Sequence, residues 1–128
     1  MKILVLEDDA ERIHYFSKVF VKHELAIVNH VNMFAILCKK KFDIIFLDHD
    51  LGGEVYVESK HENTGYNACK FLVETINVNT PIIVHSYNEN GAKNMMNLLK
   101  EEHQDQKAYQ PFGSNEFVSN IELILRQG

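Results

Sequence analysis

Four consecutive apolar residues, Ile44–Leu47, constrain the fold most, because they end abruptly in Asp-His-Asp, and two glycines come one residue after that triplet. A short apolar run that is rich in β-branched and aromatic residues and bounded by turn residues is typical of a strand buried on both faces. Such strands occur in parallel sheets whose two faces are covered by helices. The run therefore predicts a central strand over residues 42–47 of a parallel α/β sheet.

Strand and helix patterns alternate along the whole chain. Strands are predicted at residues 2–6, 25–28, 42–47, 82–84 and 107–109. Helices are predicted at residues 10–22 and 32–40, and from Gly65, Ala92 and Ser114 onwards. Alternation with short connections produces right-handed βαβ units. We therefore expect one α/β domain, residues 1–128, with a five-stranded parallel sheet between two layers of helices.

The apolar residues of the predicted helices recur at helical spacing, which indicates the faces that are buried against the sheet. The residues expected to be buried are Ile13, Phe16, Phe20, Ala68, Phe71, Leu72, Ala92, Met95, Met96, Leu99, Phe117, Ile121, Ile124 and Leu125. One acid of Glu7-Asp8-Asp9 is expected to cap the first helix, and Ser114 the last.

Composition narrows the class of protein. With 128 residues, 45% of them hydrophobic, the chain fits one domain with a core of its own. A net charge of -5 argues against broad binding to nucleic acid or to anionic membranes. Cys38 and Cys69 lack metal-site spacing and are expected to be buried thiols. No apolar run approaches the roughly 20 residues of a membrane helix. We expect a cytoplasmic protein without a membrane partner.

Polar residues follow three of the predicted strands at their carboxyl ends. These segments are Glu7-Asp8-Asp9, Asp48-His49-Asp50 and His85-Ser86-Tyr87-Asn88. If the three strands are neighbours, the segments converge on one crevice, where ligands of open α/β sheets bind. Acids from two strands offer the oxygen ligands that Mg²⁺ or Mn²⁺ prefers.

The remaining polar groups suit a phosphate ligand. Ser86 and Asn88 are expected to donate hydrogen bonds to phosphate oxygens, and the backbone at Gly52 and Gly53 to contribute to the same substrate site. His49 and His85 are both candidates for a general acid or base. These groups predict a metal-assisted site for a phosphate-containing ligand.

Taken in order, four segments resemble the receiver domain of bacterial response regulators over nearly the whole chain. They are Ile3-Leu-Val-Leu-Glu7-Asp8-Asp9, the strand that ends in Asp48, Pro81-Ile-Ile-Val-His-Ser86 and Gln110-Pro111-Phe112. The resemblance implies a doubly wound sheet with strand order 2-1-3-4-5. It also implies Mg²⁺ binding by Glu7 and Asp8, phosphorylation of Asp48, a switch role for Ser86 and a cis Gln110-Pro111 bond.

The chain departs from the receiver pattern at four places. Gln110 replaces the lysine that contacts the acyl phosphate in receivers, which puts ordinary switching in doubt. Asp50 adds a carboxylate near the metal, and His85 stands where receivers have an apolar residue. The segment from Asp48 to Gly65 is about twice the usual length, as expected of an inserted loop that covers a substrate.

The sequences Asp-His-Asp-Leu-Gly and His-Ser-x-Asn resemble more specifically the cyclic-phosphate-processing receiver domains. That resemblance implies a metal-dependent phosphoesterase acting on cyclic-phosphate ends, in RNA repair or related conflict systems. The metal would be held by Glu7, Asp8, Asp48 and Asp50, and the substrate would be a small molecule or an RNA end.

Two other hypotheses stay open. The chain is a phospho-accepting receiver in signal transduction if Asp48 takes up a phosphoryl group. It is a non-catalytic interaction module if the fold is kept for its surface, with a second copy or another protein bound through the last two helices.

Overall fold

The computed structural model of the chain describes residues 1–51, 58, 61–100 and 106–127. Five strands and five helices alternate in it. They are β1 (Lys2–Leu6), α1 (Ala10–Val19), β2 (Glu24–Val28), α2 (Val31–Leu37), β3 (Ile44–Leu47), α3 (Gly65–Leu72), β4 (Ile82–Val84), α4 (Glu89–Lys100), β5 (Lys107–Tyr109) and α5 (Asn115–Gln127). All strands pair in parallel in the order β2-β1-β3-β4-β5, which confirms the predicted fold and strand order.

The sheet divides the core into two layers, because successive side chains of a strand point to opposite faces. Leu4 and Leu6 of β1 pack in the layer that α2, α3 and α4 cover. Ile3 and Val5 pack in the layer of α1 and α5, which is rich in phenylalanine. A side chain just beyond a strand end therefore belongs to one layer or the other according to its position in the alternation.

Side chains cap the helices at the edge of the sheet where the strands end. The Asp9 carboxylate accepts a hydrogen bond from the Arg12 N–H at 3.0 Å at the start of α1. Ser114 Oγ accepts one from the Phe117 N–H at 3.3 Å in α5. Both predicted caps are therefore present, and each satisfies a backbone donor in the first turn of its helix.

Several predicted helix boundaries are wrong. α1 ends at Val19 rather than Lys22, because Phe20 caps it and the His23 N–H donates to the Phe20 carbonyl in the turn that leads to β2. α2 covers Val31–Leu37 rather than residues 32–40, since Cys38 is its C-cap. The central strand begins at Ile44, two residues later than predicted.

Two residues that were expected in the core are exposed. Phe71 is 46% exposed, because the face of α3 that meets the sheet carries Ala68, Cys69 and Leu72. Leu125 is 44% exposed, because Ile124 takes the buried position of that turn of α5. In both helices the sequence offers adjacent apolar residues about 100° apart, and the packing admits only one of them.

The Gln110-Pro111 bond is trans, so the expected cis bond is wrong. The trans isomer of such a bond is the more stable by about 0.5–1 kcal/mol, and in it the Gln110 and Phe112 N–H groups both donate to carbonyls of the fourth strand and the residue after it. Cys38 and Cys69 are free, buried thiols, as predicted. Within the described ranges, no helix combines the length and apolar character that crossing a membrane requires.

Candidate functional site

The three central strands bring their carboxyl ends together. Leu6 of β1 pairs in register with Leu47 of β3, and Leu47 pairs with Val84 of β4. The residues that directly follow Leu6, Leu47 and Val84 therefore lie side by side at the ends of the three strands. Glu7, Asp48 and His85 are those residues, so the three polar segments converge at one end of the strands, as predicted.

Glu7, Asp48 and His85 form a buried cluster. One ligand atom from each lies within 4.8 Å of the other two, and the residues are 0%, 5% and 0% exposed. Glu7 Oε1 is 2.8 Å from His85 Nε2. Glu7 Oε2 accepts hydrogen bonds from the N–H groups of Asp8 and Asp9, at 3.0 and 3.1 Å. The Glu7 carboxylate is thus held in one orientation by donors on both oxygens.

Burial makes the negative charges of this cluster costly. Burial raises the pKa of Asp48 to about 7, and the Glu7 carboxylate adds to the increase. Burial also raises the pKa of Glu7, partly offset by the hydrogen bond from Asp9. A cation between the two carboxylates would reverse both effects. The electrostatics therefore favour a bound positive charge.

His85 is placed as a partner of Glu7. Its ring lies among phenylalanines, with centroid distances of 5.4 Å to Phe16 and 6.4 Å to Phe112. Burial lowers the pKa of His85 to about 4, so the ring is neutral at pH 7. In the described part of the chain, its Nδ1 is buried without a hydrogen-bond partner. We infer that Nε2 carries the proton and donates a hydrogen bond to Glu7, since an N–H on Nδ1 would be buried without an acceptor.

His49 lies on the other face of the sheet and is also buried. Its Nδ1 is 2.8 Å from Asp50 Oδ1, which also accepts a hydrogen bond from Asn88 Nδ2 at 2.9 Å. Because a carboxylate oxygen only accepts hydrogen bonds, the contact with Asp50 indicates that His49 Nδ1 carries a proton. Asp50 is a predicted metal ligand, but its Oδ1 contacts His49 and Asn88. It is not among the residues of the cluster, which are Glu7, Asp48 and His85.

Two glycines allow the helices to approach these residues. A Cβ at Gly91 of α4 would lie 2.4 Å from the His49 ring, and one at Gly65 of α3 would lie 1.9 Å from the Asp48 carbonyl oxygen. The Gly65 N–H donates to the His49 carbonyl at 2.9 Å. The starts of α3 and α4 therefore pack directly on Asp48 and His49, and neither position has room for a side chain.

The other predicted site residues differ in their placement. Ser86 is 1% exposed and its Oγ accepts a hydrogen bond from the Asn88 N–H at 3.0 Å. Asn88 Oδ1 accepts one from the Gly91 N–H at 3.0 Å and so caps α4. Asp8 is half-buried beside Glu7. Gly52 and Gly53 lie outside the described residues. The phosphate-binding and metal-binding roles of these residues stay predictions.

The side chain at position 110 faces a helix. Asn120 of α5 donates a hydrogen bond to Gln110 Oε1. That oxygen is therefore held by α5, and among the described residues no contact of Gln110 with the acidic cluster is found.

A positive side chain that sequence reasoning missed stands beside the cluster. Arg12 Nη1 is 3.6 Å from Glu7 Oε1, and the Arg12 Cζ lies 4.3 Å from the centroid of the Tyr87 ring. One sequence signal pointed to it: Arg12 occupies the first turn of a helix that starts directly after an acidic strand end. The contact with Tyr87 depends on tertiary structure and had no such signal.

Comparison with known proteins agrees with this architecture. Residues 3–101 match the family described as the cyclic-phosphate processing receiver domain. No curated protein matches the sequence significantly.

Three of the similar solved structures are receiver domains, and each of these comparisons covers 98% of this chain. One comes from a sensor histidine kinase of Pseudomonas aeruginosa PAO1, described with a magnesium ion coordinated in its active-site cleft (16% identity, TM-score 0.67, 94% of that chain covered). Another is the receiver domain of a Francisella response regulator (19%, 0.63, 97%). A third is the BeF3-activated receiver domain of DrrB from Thermotoga maritima (19%, 0.64, 92%). These identities show the fold alone; the family match, which spans most of the chain, shows that this protein belongs to the cyclic-phosphate-processing receiver domains.

Proposed function

We propose that this domain binds a divalent cation at Glu7 and Asp48 and hydrolyses a cyclic phosphate ester, such as the 2′,3′-cyclic phosphate of a nucleotide or of an RNA end. The observation that carries the proposal is the cluster of Glu7, Asp48 and His85, whose ligand atoms lie within 4.8 Å at the carboxyl edge of the sheet. The family description supplies the class of substrate.

The donor set fits Mg²⁺ or Mn²⁺. Glu7 and Asp48 provide hard carboxylate oxygens, and Asp8 is half-buried and near enough along the chain to add a third. His85 donates a hydrogen bond from Nε2–H to Glu7 and so orients that proposed ligand, as hydrogen bonds to ligating carboxylates commonly do. The magnesium ion described in the active-site cleft of the Pseudomonas receiver, which has the same fold, supports the choice of a divalent cation. When bound, the cation would polarise the phosphoryl group and offset its charge.

We propose that one of the two buried histidines moves the proton, and the two differ in what holds their rings. His49 lies on the other face of the sheet from the cluster, and its Nδ1 is 2.8 Å from the acceptor Asp50 Oδ1, so Nδ1 carries a proton and Nε2 is the ring nitrogen that can accept one. His85 lies in the cluster, but its ring is among aromatic rings and its Nε2–H is directed at Glu7, so of the two His49 can accept a proton without loss of the hydrogen bond to Glu7. In the proposed reaction the oxygen of water attacks phosphorus and a proton of the water passes to His49. The P–O bond of the ring then breaks, and His49 returns the proton to the leaving alkoxide, giving a phosphate monoester.

The first test separates binding from turnover. Calorimetry with Mg²⁺ and Mn²⁺ on the wild type and Asp48→Asn is followed by addition of a 2′,3′-cyclic nucleotide, and the product is identified by chromatography. We expect metal binding that Asp48→Asn weakens by at least tenfold, heat from the nucleotide, and a monoester product. Wild-type protein that binds metal but forms no monoester would exclude the hydrolytic proposal.

The second test addresses the proton. His49→Gln is expected to reduce kcat by about 10²- to 10⁴-fold, the usual contribution of general acid–base catalysis, while metal affinity is kept. His85→Gln still offers an amide donor to Glu7, so we expect a smaller loss that is accompanied by weaker metal binding. The opposite ranking of the two variants would assign the proton to His85.

A second function is favoured by one specific observation. Asp48 ends β3 next to the cluster, as a phospho-accepting aspartate of a receiver would, and the nearly buried Ser86 follows β4. Incubation with a small phosphodonor and Mg²⁺ would then give a labile acyl phosphate on Asp48. Intact-mass analysis without any adduct on the wild type would exclude this function.

A further inference from the structure

A single guanidinium borders the acidic cluster on the side of α1. Arg12 Nη1 lies 3.6 Å from Glu7 Oε1, and the Arg12 side chain is 18% exposed. Glu7 does not need this contact for its own hydrogen bonding, because His85 Nε2 and two backbone N–H groups already bind its oxygens. The Arg12 guanidinium therefore lies at the boundary between the cluster and solvent.

Two aromatic rings fix the position of this guanidinium. Arg12 Cζ lies 4.3 Å from the Tyr87 ring centroid and 5.2 Å from that of Phe112. The Tyr87 hydroxyl donates to the Phe112 carbonyl at 2.7 Å, so the two residues that contact Arg12 are also joined to each other. Cation–π contacts hold an arginine in place without using its N–H groups.

The N–H donors of Arg12 remain available to a ligand. A guanidinium carries five of them in a fixed fork that matches the oxygens of a phosphate. Over the described ranges its ion pair is with Glu7, and 3.6 Å is longer than a hydrogen bond. A pre-positioned arginine with uncommitted donors beside a predicted cation site is suited to binding an anion.

We infer that Arg12 is a phosphate-binding residue that donates hydrogen bonds to a non-bridging oxygen of the bound phosphate group, with Tyr87 and Phe112 holding its guanidinium in place. The identity of the ligand as a phosphate ester rests on the proposed function. The charges are consistent with this arrangement, because an anion that approaches two carboxylates needs positive charge besides that of the metal.

Calorimetry on four proteins tests the inference. They are the wild type, Arg12→Gln, Arg12→Lys and the matched control Lys18→Gln, which removes one exposed positive charge from the same helix. Mn²⁺ is titrated alone, and then inorganic phosphate and a 2′,3′-cyclic nucleotide are titrated separately at saturating Mn²⁺. Circular dichroism establishes that each variant is folded.

We expect Arg12→Gln to weaken the binding of both anions by about 10- to 100-fold, as for loss of charge-assisted hydrogen bonds. Arg12→Lys should recover only part of the affinity, since lysine lacks the planar fork. Mn²⁺ affinity should be unchanged or increased, because a positive neighbour of Glu7 has been removed. Lys18→Gln should bind both anions like the wild type.

Four results would overturn the inference. Equal losses in Arg12→Gln and Lys18→Gln would show a general charge effect, and a parallel loss of Mn²⁺ affinity in Arg12→Gln would show that Arg12 only positions Glu7. Anion binding that does not depend on Arg12 would also exclude it. If phosphate binding depends on Arg12 but no cyclic phosphate is opened, the proposed hydrolysis fails while this inference stands. A wild type that binds neither anion in the presence of Mn²⁺ overturns both.

Discussion

At the scale of single residues, the cluster brings two buried carboxylates together, which lowers the stability of the metal-free protein. Asp48 is 5% exposed and adjoins Glu7, which is fully buried, so ionisation of both costs free energy unless a cation is present. The hydrogen bond from His85 reduces this cost for Glu7 without adding charge. Removing the Asp48 charge should therefore stabilise the metal-free protein.

In EDTA, we expect Asp48→Asn to increase the free energy of unfolding by about 1 to 3 kcal/mol at pH 8. The pKa of Asp48 is raised from 3.8 to about 7 by burial, so the folded state binds more protons than the unfolded state between these values. The wild type therefore loses stability as pH rises through that window, and the advantage of Asp48→Asn grows from pH 4 to 7 and then levels off.

Urea denaturation at several pH values measures this difference, with the exposed Glu74→Gln as control. The control should follow the wild type at every pH. An Asp48→Asn protein that is less stable than the wild type throughout would show that the carboxylate is needed for folding. Mg²⁺ or Mn²⁺ should stabilise the wild type and have little effect on Asp48→Asn, because ligands stabilise only the state that binds them.

At the scale of elements, the starts of α3 and α4 are closely packed on the residues that follow β3. Gly65 and Gly91 are the positions at which these helices have no space for a Cβ. Glycine normally destabilises a helix relative to alanine by up to about 1 kcal/mol. At Gly91 an alanine would clash, because the His49 ring occupies the space that a methyl group would need.

Gly91→Ala is therefore expected to destabilise the protein by about 1 to 3 kcal/mol, although the same change would stabilise an isolated helix. The displaced atom is the base of a buried ring, which cannot rotate away as the end of a long side chain could. Thermal unfolding measures the effect, and the exposed Asn97→Ala in the same helix serves as control. A more stable Gly91→Ala would mean that His49 is not held against α4.

The helices and strands also show which parts of the structure could be predicted from the sequence. The parallel α/β sheet was predictable because alternation and apolar runs are local patterns, whereas its strand order, and with it the convergence of Glu7, Asp48 and His85, was predicted through the resemblance to receiver domains. The exposure of Phe71 was not, since two adjacent apolar residues compete for one face of α3. The position of Arg12 on Tyr87 was not either, because that contact joins residues 75 positions apart.

At the scale of the whole molecule, ionisable groups are buried at both ends of the strands, where the strands begin and where they finish. At the edge opposite the cluster, Lys107 is 7% exposed and donates from Nζ to the carbonyls of Val78 and Thr80, at 3.0 and 2.6 Å. Burial, together with the charge of Lys41, lowers the pKa of Lys107 to about 8. The buried Lys107 amine should therefore make the free energy of unfolding depend on pH, separately from Asp48.

Between pH 8 and 9.5 we expect the wild type to gain stability relative to Lys107→Met, by about 1 to 2 kcal/mol. The unfolded state keeps the lysine proton up to its ordinary value of 10.5, whereas the folded state has lost it above about 8, so raising the pH favours folding. Urea denaturation in EDTA measures the slope. The exposed Lys93→Met is the control. Parallel curves for the wild type and Lys107→Met would contradict the buried position of this amine.

The surface of the last two helices stays a predicted interface. Val118, Leu123 and Leu125 of α5 are 40%, 51% and 44% exposed, and such side chains are consistent with a second copy or a protein partner. A molecular mass that rises with concentration, and does so equally in Asp48→Asn, would support that association.

The level alignment of Leu6, Leu47 and Val84 has a consequence for how such domains can diverge. The proposed roles of Glu7, Asp48 and His85 depend on each being the first residue beyond its strand, so they require the strand length as well as the residue type. A deletion of one residue within β3 would move His49 into the cluster and turn Asp48 out of it. Relatives of this chain should therefore tolerate insertions in the segment after Asp50 far more readily than any change in strand length.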